Sequence, residues 1–404
     1  MKPGAETRAD FPALSRQVDG MPVVYLDNAA TTLKPRSVID AVTHYYANVG
    51  ASIHRGKHTL SEEASTRYEQ VRYQVGQFLG VPSNEIVFTA NATSALNLVA
   101  SGLGLTRDDL VLVALDAHHS NLVPWRQRAR VELIRTDAHG VIDLDHYRQL
   151  VRSRPRVVAV SGCSNVTGLY APLADMVRMA REAGALVVVD AAQSLPHRRP
   201  AIEELDVDFL ACSGHKMLAP TGTGVLWGRF ELLQALEPAW LGGGTVDWVD
   251  EHGHELRSVP HRFEAGTPHI AGIYGLGEAL RYLDRLGRDA VEQHDRELGR
   301  LLLEEARKRP WLRVLGDAPG ADRAALVSLE VRGIEHLQDI ARMLSDSYGI
   351  MCRTGHLCAQ PIVDRLTPGE VLRISAYVYN TVDEIRHAFE ALDEIGAAVG
   401  VGGC

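Results

Sequence analysis

At 404 residues the chain is longer than one hydrophobic core usually serves, so two domains are expected. An apolar fraction of 46% and a charged fraction of 23% match globular averages and argue against a largely disordered chain. The net charge of -9, with both signs interspersed, argues against nucleic-acid or membrane partners while leaving room for a local basic pocket.

Residues 1–24 read as a polar arm, and Arg8, Asp10, Arg16 and Asp19 interrupt any apolar run that a signal peptide would need. No stretch approaches the roughly 20 apolar residues that span a bilayer. Cys163, Cys212, Cys352, Cys358 and Cys404 are odd in number and lack a secreted spacing, which predicts a reducing, cytoplasmic setting.

From Val23 onward strands and helices alternate. A helix is predicted over 61–80, where Ala64, Tyr68, Val71, Val75, Phe78 and Leu79 share one face; Glu62 and Glu63 suit its first turn and Gly80 stops it. Short apolar runs at 85–89, 110–114, 157–161, 186–190, 209–212 and 224–227 predict strands, several separated by helices such as 173–183. The alternation predicts an α/β fold around a mostly parallel sheet buried on both faces. After Gly266 the texture changes to helices at 270–286, 291–308, 337–348 and 382–395 with strands at 325–331 and 372–376. We therefore expect a large domain over 25–280 and a smaller α+β domain over 281–404, closing on a flexible tail from Val399 to Cys404.

Ligands of open parallel sheets bind beyond the carboxyl ends of the strands. The run Val87-Phe-Thr-Ala-Asn-Ala-Thr-Ser94 leads into a helix whose N–H groups and Thr93 hydroxyl suit a phosphate, although Thr or Ser there also serves as an ordinary cap. Asp190 closes an apolar run, a costly place for an acid unless it meets a cation such as a protonated pyridine nitrogen. Capping a helix or binding a metal fits the same pattern. Lys216, in Cys212-Ser-Gly-His-Lys216 before a glycine-rich turn, is placed to enter a cleft where burial would make its amine a nucleophile; an exposed loop lysine is the plainer reading. His118 and His119 follow another strand, where an imidazole can stack on an aromatic cofactor or sit at the surface. Cys352 and Cys358 lack a second matching pair, which disfavours zinc. A mobile loop carrying the Cys358 thiol, with Arg353 and His356 near enough to lower its pKa, fits better. His252 and His254, beside Glu251 and Glu255, read as a solvated loop.

Together, these segments resemble the class V, fold-type I enzymes that use pyridoxal phosphate (PLP), and within them the SUF-type cysteine desulfurases and selenocysteine lyases. The resemblance runs from about Tyr25 to Ile395. Its carriers are Tyr25-Leu-Asp-Asn-Ala-Ala-Thr-Thr32, His54-Arg-Gly-Lys-His-Thr-Leu60, Ser164-Asn-Val-Thr-Gly168, Asp190-Ala-Ala-Gln193, Ser213-Gly-His-Lys216, Arg262-Phe-Glu-Ala-Gly-Thr-Pro268, Arg353-Thr-Gly-His-Leu-Cys-Ala359 and Leu372-Arg-Ile-Ser375. The resemblance implies that Lys216 carries PLP as a Schiff base and moves substrate protons. Asp190 would pair with the pyridine nitrogen, Gln193 with the phenolic oxygen, and His118 would stack on the ring. Thr93, Ser213 and His215 would hold the phosphate, with Ser94 also in the cofactor site and Thr267 reaching in from the second subunit of a homodimer. Asn165, Arg353 and Arg373 would fix the substrate carboxylate. L-cysteine would become alanine while Cys358 takes its sulfur as a persulfide for an acceptor protein, in iron–sulfur assembly or another thiolation.

Several positions depart from the family pattern. Ala92 stands where a hydroxyl is common, Leu357 where a second histidine is frequent, Met217-Leu218-Ala219 where Leu-Tyr-Gly is usual, and Thr245-Val-Asp-Trp248 where the continuation is glycine-rich. Every catalytic group remains, so the departures bear on the choice of substrate and acceptor. L-selenocysteine is an alternative substrate, and another class V reaction (amino transfer, epimerisation or C–S lysis) would leave Cys358 idle. A silent scaffold would need PLP binding to be lost.

Overall fold

A computed structural model describes residues 2–199, 202–334 and 336–401. Its centre is a seven-stranded sheet of β1 (Ile86–Thr89), β2 (Leu110–Ala114), β3 (Arg130–Ile134), β4 (Val157–Ser161), β5 (Leu186–Asp190), β6 (Phe209–Ser213) and β7 (Gly224–Gly228). The spatial order is β1-β7-β6-β5-β4-β2-β3. All strands run one way except β7, which is antiparallel to both β1 and β6. Strands β2, β4, β6 and β7 are buried along their whole length, which is why they read as unbroken apolar runs. The exception is β3, an edge strand whose Arg130 is exposed; its mixed residues gave no such run.

Three helices pack together beside this sheet: α1 (Arg36–His44), α2 (Thr59–Leu79) and α4 (Ile270–Leu286). The fourth to be named, α3 (Ala92–Gly102), covers the sheet beside β6 and β7. Ala64, Tyr68, Val71, Val75 and Leu79 form the buried face of α2, and Gly80 ends it at φ +76°. A glycine inside a helix costs about 1 kcal/mol relative to alanine. Gly277 meets that cost for close contact, since a Cβ there would lie 2.6 Å from Val71 Cγ2.

Helix α4 ends at Gly287 (φ +83°), a few residues beyond position 280. Helix α4 continues to Leu286, and Leu283 and Leu286 still pack in the large core. Beyond it, α5 (Arg288–Arg307), α6 (Leu337–Tyr348), α7 (Gln360–Leu366) and α8 (Val382–Ala398) accompany a four-stranded antiparallel sheet. Its strands are β8 (Leu312–Leu315), β9 (Leu326–Val331), β10 (Arg353–Gly355) and β11 (Val371–Ser375), in the order β8-β9-β11-β10. Val24–Tyr25 pairs in parallel with Ile350–Met351, and Val24 and Leu26 lie in the small-domain core. The arm before them is docked: Gly4 N–H donates to Val378 O at 2.7 Å, Arg8 pairs with Glu384, and Phe11 packs 4.5 Å from the Tyr379 ring. A two-stranded hairpin, Val246–Val249 with His254–Leu256, carries the exposed Trp248 and Val249. Among the described residues no helix is long and apolar enough to cross a membrane.

Candidate active site

The carboxyl ends of β2, β4, β5 and β6 open onto one cavity of about 400 Å³, lined by His118, Asn165, Asp190, Gln193, Lys216 and Cys358 among others. This is the crevice an open α/β sheet offers where its strand order reverses, here between β2 and β4.

Lys216 sits on a single tight turn after β6. Only glycine fits at Gly214, where a Cβ would fall 2.3 Å from Thr223 Oγ1. The next carbonyl, of His215, is fixed by four donors: Thr32 N–H (3.1 Å), Thr31 Oγ1 (3.2 Å), Thr32 Oγ1 (3.0 Å) and Lys34 Nζ (2.9 Å). Burial, then the charge of Arg373, pushes the Lys216 amine down to about 8 against the pull of Asp190. Its Nζ lies 3.4 Å from Gln193 Oε1. Asp190 is also buried, which raises its pKa, and it accepts the Ala192 N–H at 3.0 Å. Burial followed by Lys216 holds the His118 imidazole down at about 4, so the ring is neutral at physiological pH. Its Nδ1 accepts the Ser120 N–H at 3.1 Å, which leaves the proton on Nε2. His215 also lines the cavity and is likewise held at about 4, by burial first.

The N-terminus of α3 closes one side. Thr93 Oγ1 is 2.7 Å from Ser120 Oγ, and Ser213 Oγ accepts the Ala92 N–H at 2.9 Å. Ser94 was expected among the cofactor-binding residues. Its N–H and hydroxyl instead face Asn91 Oδ1, at 2.9 and 3.2 Å, and it stands outside the cavity lining as part of the helix cap.

On the small-domain side, Asp27 holds both arginines. Arg353 grips it through Nε and one terminal nitrogen (2.8–3.1 Å), and Arg373 reaches it at 3.2 Å. Arg373 also donates to Asn165 O at 3.1 Å, while its buried Nε has no partner among the described residues. One carboxylate thus serves two guanidinium groups, and the excess positive charge suits an anion. Asn165 lines the cavity, but its side-chain N–H goes to Leu357 O at 2.8 Å, bracing the cysteine loop.

Cys358 stands exposed on the short link between β10 and α7. Leu357 and Cys358 both have φ +55°, a left-handed conformation that non-glycine residues adopt at a cost. The link is held by Asn165 and by the His119 N–H, which donates to Cys358 O at 2.8 Å. His356 turns to Asp364 at 3.6 Å and Arg353 to Asp27, so neither spends its main contact on the thiol. Cys352 is a half-buried thiol, pushed up to about 12 by burial and packed against the small-domain core. Cys404 lies outside the described residues. His252 and Glu251 form an exposed pair at 3.5 Å in the hairpin turn.

Thr267 is not beside Lys216 in this chain. It lines a separate cavity of about 280 Å³ with His54, Arg55, His261 and Glu264. There His54, Glu69 and His261 bring ligating atoms within 4.8 Å of one another, but Arg72 already takes Glu69 at 2.8 Å. Sequence reasoning missed Asp27 and Ser120 as site residues. Asp27 lay inside a recognised motif, yet nothing local tells a buried acid that binds two distant arginines from a turn residue.

The donor set fits PLP. A buried acid with a raised pKa awaits a cation, an amine of lowered pKa lies within the same cavity, and a neutral imidazole and paired hydroxyls border it. The sequence profile of the class-V aminotransferases matches residues 24–387. The chain belongs to that family. Class-V members of this kind depend on PLP, and so does this enzyme. A probable cysteine desulfurase of Streptomyces coelicolor is 40% identical over 403 residues, covering 96% of each chain. An apo structure of the cysteine desulfurase from Thermococcus onnurineus NA1 matches with a TM-score of 0.93 at 36% identity, covering 98% of this chain and 99% of that one. The Escherichia coli cysteine desulfurase CsdA, in an S-sulfonic acid form, matches with a TM-score of 0.88 at 35% identity over 97% and 98%.

Proposed function

We propose that this class-V enzyme is a cysteine desulfurase: it converts L-cysteine to L-alanine and loads the sulfur on Cys358. The observation that carries the reading is a single cavity bordered by a buried amine, two arginines and an exposed thiol.

PLP, when bound, supplies an electron sink for charge that develops at the substrate Cα. Lys216 would hold it covalently, Asp190 face its ring nitrogen, Gln193 its phenolic oxygen and His118 its ring face. Thr93, Ser213 and His215 would hold its phosphate. Arg373 and Arg353 orient the substrate carboxylate, with Arg373's unpartnered Nε offering a free donor. The Lys216 amine, near 8, takes the Cα proton and returns it. The neutral His118 presents an Nε2–H for proton delivery to the product. Cys358, as thiolate, forms an S–S bond to the substrate sulfur while the Cβ–S bond breaks. The electron pair returns to carbon, and protonation there gives alanine. The exposure of Cys358 supports transfer onward to an acceptor protein.

The separation of Thr267 from Lys216 within one chain, and the exposed Trp240, Leu241, Trp248 and Val249, support a homodimer in which Thr267 serves the partner's phosphate. The four described cysteines are unpaired, which supports a cytoplasmic setting. The deciding experiment follows alanine and sulfide from L-cysteine under reductant, and repeats it with L-selenocysteine. Pyruvate and ammonia in place of alanine would sink the reading, and a strong preference for selenocysteine would move it to the lyase.

A further inference from the structure

The amide of Gln193 is held at two points. Its Oε1 faces the Lys216 amine at 3.4 Å, and its Nε2 stands 3.4 Å from Nε2 of His197. The other ring nitrogen of His197, Nδ1, lies 2.7 Å from Asp295 Oδ1, and both side chains are only 5% exposed. That contact is short but bent off the N–H direction, so it is a close approach of the ring nitrogen to a carboxylate oxygen more than an aligned hydrogen bond. Two bare acceptors at such a distance would repel, so the Nδ1 position carries a proton. In the neutral ring Nε2 is then bare: it accepts from the Gln193 NH₂ and repels the Gln193 oxygen.

We propose that His197 and Asp295 are positioning residues that fix which end of the Gln193 amide meets Lys216. An amide fits its space equally well turned over, so sterics alone do not choose its orientation. The dyad does, and its own surroundings are rigid. Asp295 Oδ1 also accepts the Ala325 N–H at 2.9 Å. The His197 ring stands edge-on to Tyr377 at 5.2 Å, and Tyr377 in turn donates to Pro196 O at 3.0 Å. Arg288 clamps the same loop through Leu195 O (2.8 Å) and Arg198 O (2.7 Å). A buried carboxylate set beside a neutral imidazole costs desolvation that apolar packing of the same volume would not, so stability does not explain it. Orientation does. Because Asp295 comes from α5 and Gln193 from the loop after β5, the arrangement also ties the small domain to the amine.

The inference rests on Lys216 and Gln193 belonging to the cofactor site, and its test separates the two ideas. In the unaltered apo protein, ¹⁵N NMR of labelled histidine should show His197 protonated at Nδ1 and bare at Nε2. A ring protonated at Nε2, alone or together with Nδ1, overturns the proposal whatever the variants do. In the full-length protein, His197→Asn, which keeps a polar atom near the Nδ1 position alone, should weaken PLP binding by roughly tenfold and shift its visible band. His197→Gln, whose amide extends toward the Nε2 position, should recover most of both. Equal affinity and an unmoved band in folded His197→Asn and Asp295→Asn would also overturn it. If the unaltered protein bound no PLP, the cofactor reading would fail, while the tautomer of His197 would still decide the dyad.

Discussion

Lys216 and Cys358 border the same cavity yet are built in opposite ways. Lys216 is half-buried, on a turn fixed by glycine and by four donors to one carbonyl, with its amine tuned by burial. Cys358 is exposed, on a brief link in left-handed backbone held by two hydrogen bonds from the large domain. The contrast teaches that the two halves of the chemistry have different demands. A covalent anchor for a cofactor needs a dry, rigid site, whereas a thiol that must pass an atom to another molecule needs the rim.

Variants that break the contrast should rank by how deeply they cut into it. Lys216→Ala should bind no PLP covalently and lose activity by more than about 10⁴-fold, as loss of a covalent nucleophile does; retention of the yellow colour after dialysis would contradict this. Cys358→Ala should keep the colour while sulfide release falls to the uncatalysed level, separating the two sides cleanly. Undiminished release would remove the thiol from the reaction. Arg373→Lys should raise KM for L-cysteine by about 10- to 100-fold with kcat less affected, the worth of a charged hydrogen bond of ~1.5–3 kcal/mol. A fall confined to kcat would show that the arginine acts elsewhere.

The mildest test concerns pH. Since the unprotonated amine is the one that attacks, PLP capture by the apo protein should quicken about tenfold per pH unit below about 8 and level off above it. Stopped-flow absorbance would read this. A flat profile would mean that burial does not set the reactivity of Lys216.

Much of the buried side was legible from the chain alone, because strands covered on both faces write themselves as apolar runs that stop at a polar residue. Asp190 and Lys216 stand where such runs stop. Strand direction is not written that way, so the reversal of β7 was invisible, and the exposed edge strand β3 lacked the run altogether. The family profile and relatives bear out the family and fold. Among the site residues, Ser94 looked like Thr93 in sequence but turned to its own cap, since neighbouring positions at a helix start point differently. Asp27 and the His197–Asp295 pair depend on residues far apart in the chain, and no local pattern reports them.

The openness of Cys358 has a chemical liability as well as a use. A thiol that an acceptor can reach is also one that peroxide can reach, and oxidation past the sulfenic stage to sulfonic acid is not reversed. Cys212 in the core and Cys163, buried in the cavity wall, have thiols pushed up by burial, which shields them from that ladder. Ageing in air should therefore silence sulfur transfer while leaving the cofactor's colour intact, so that a bright yellow preparation is no evidence of a working one.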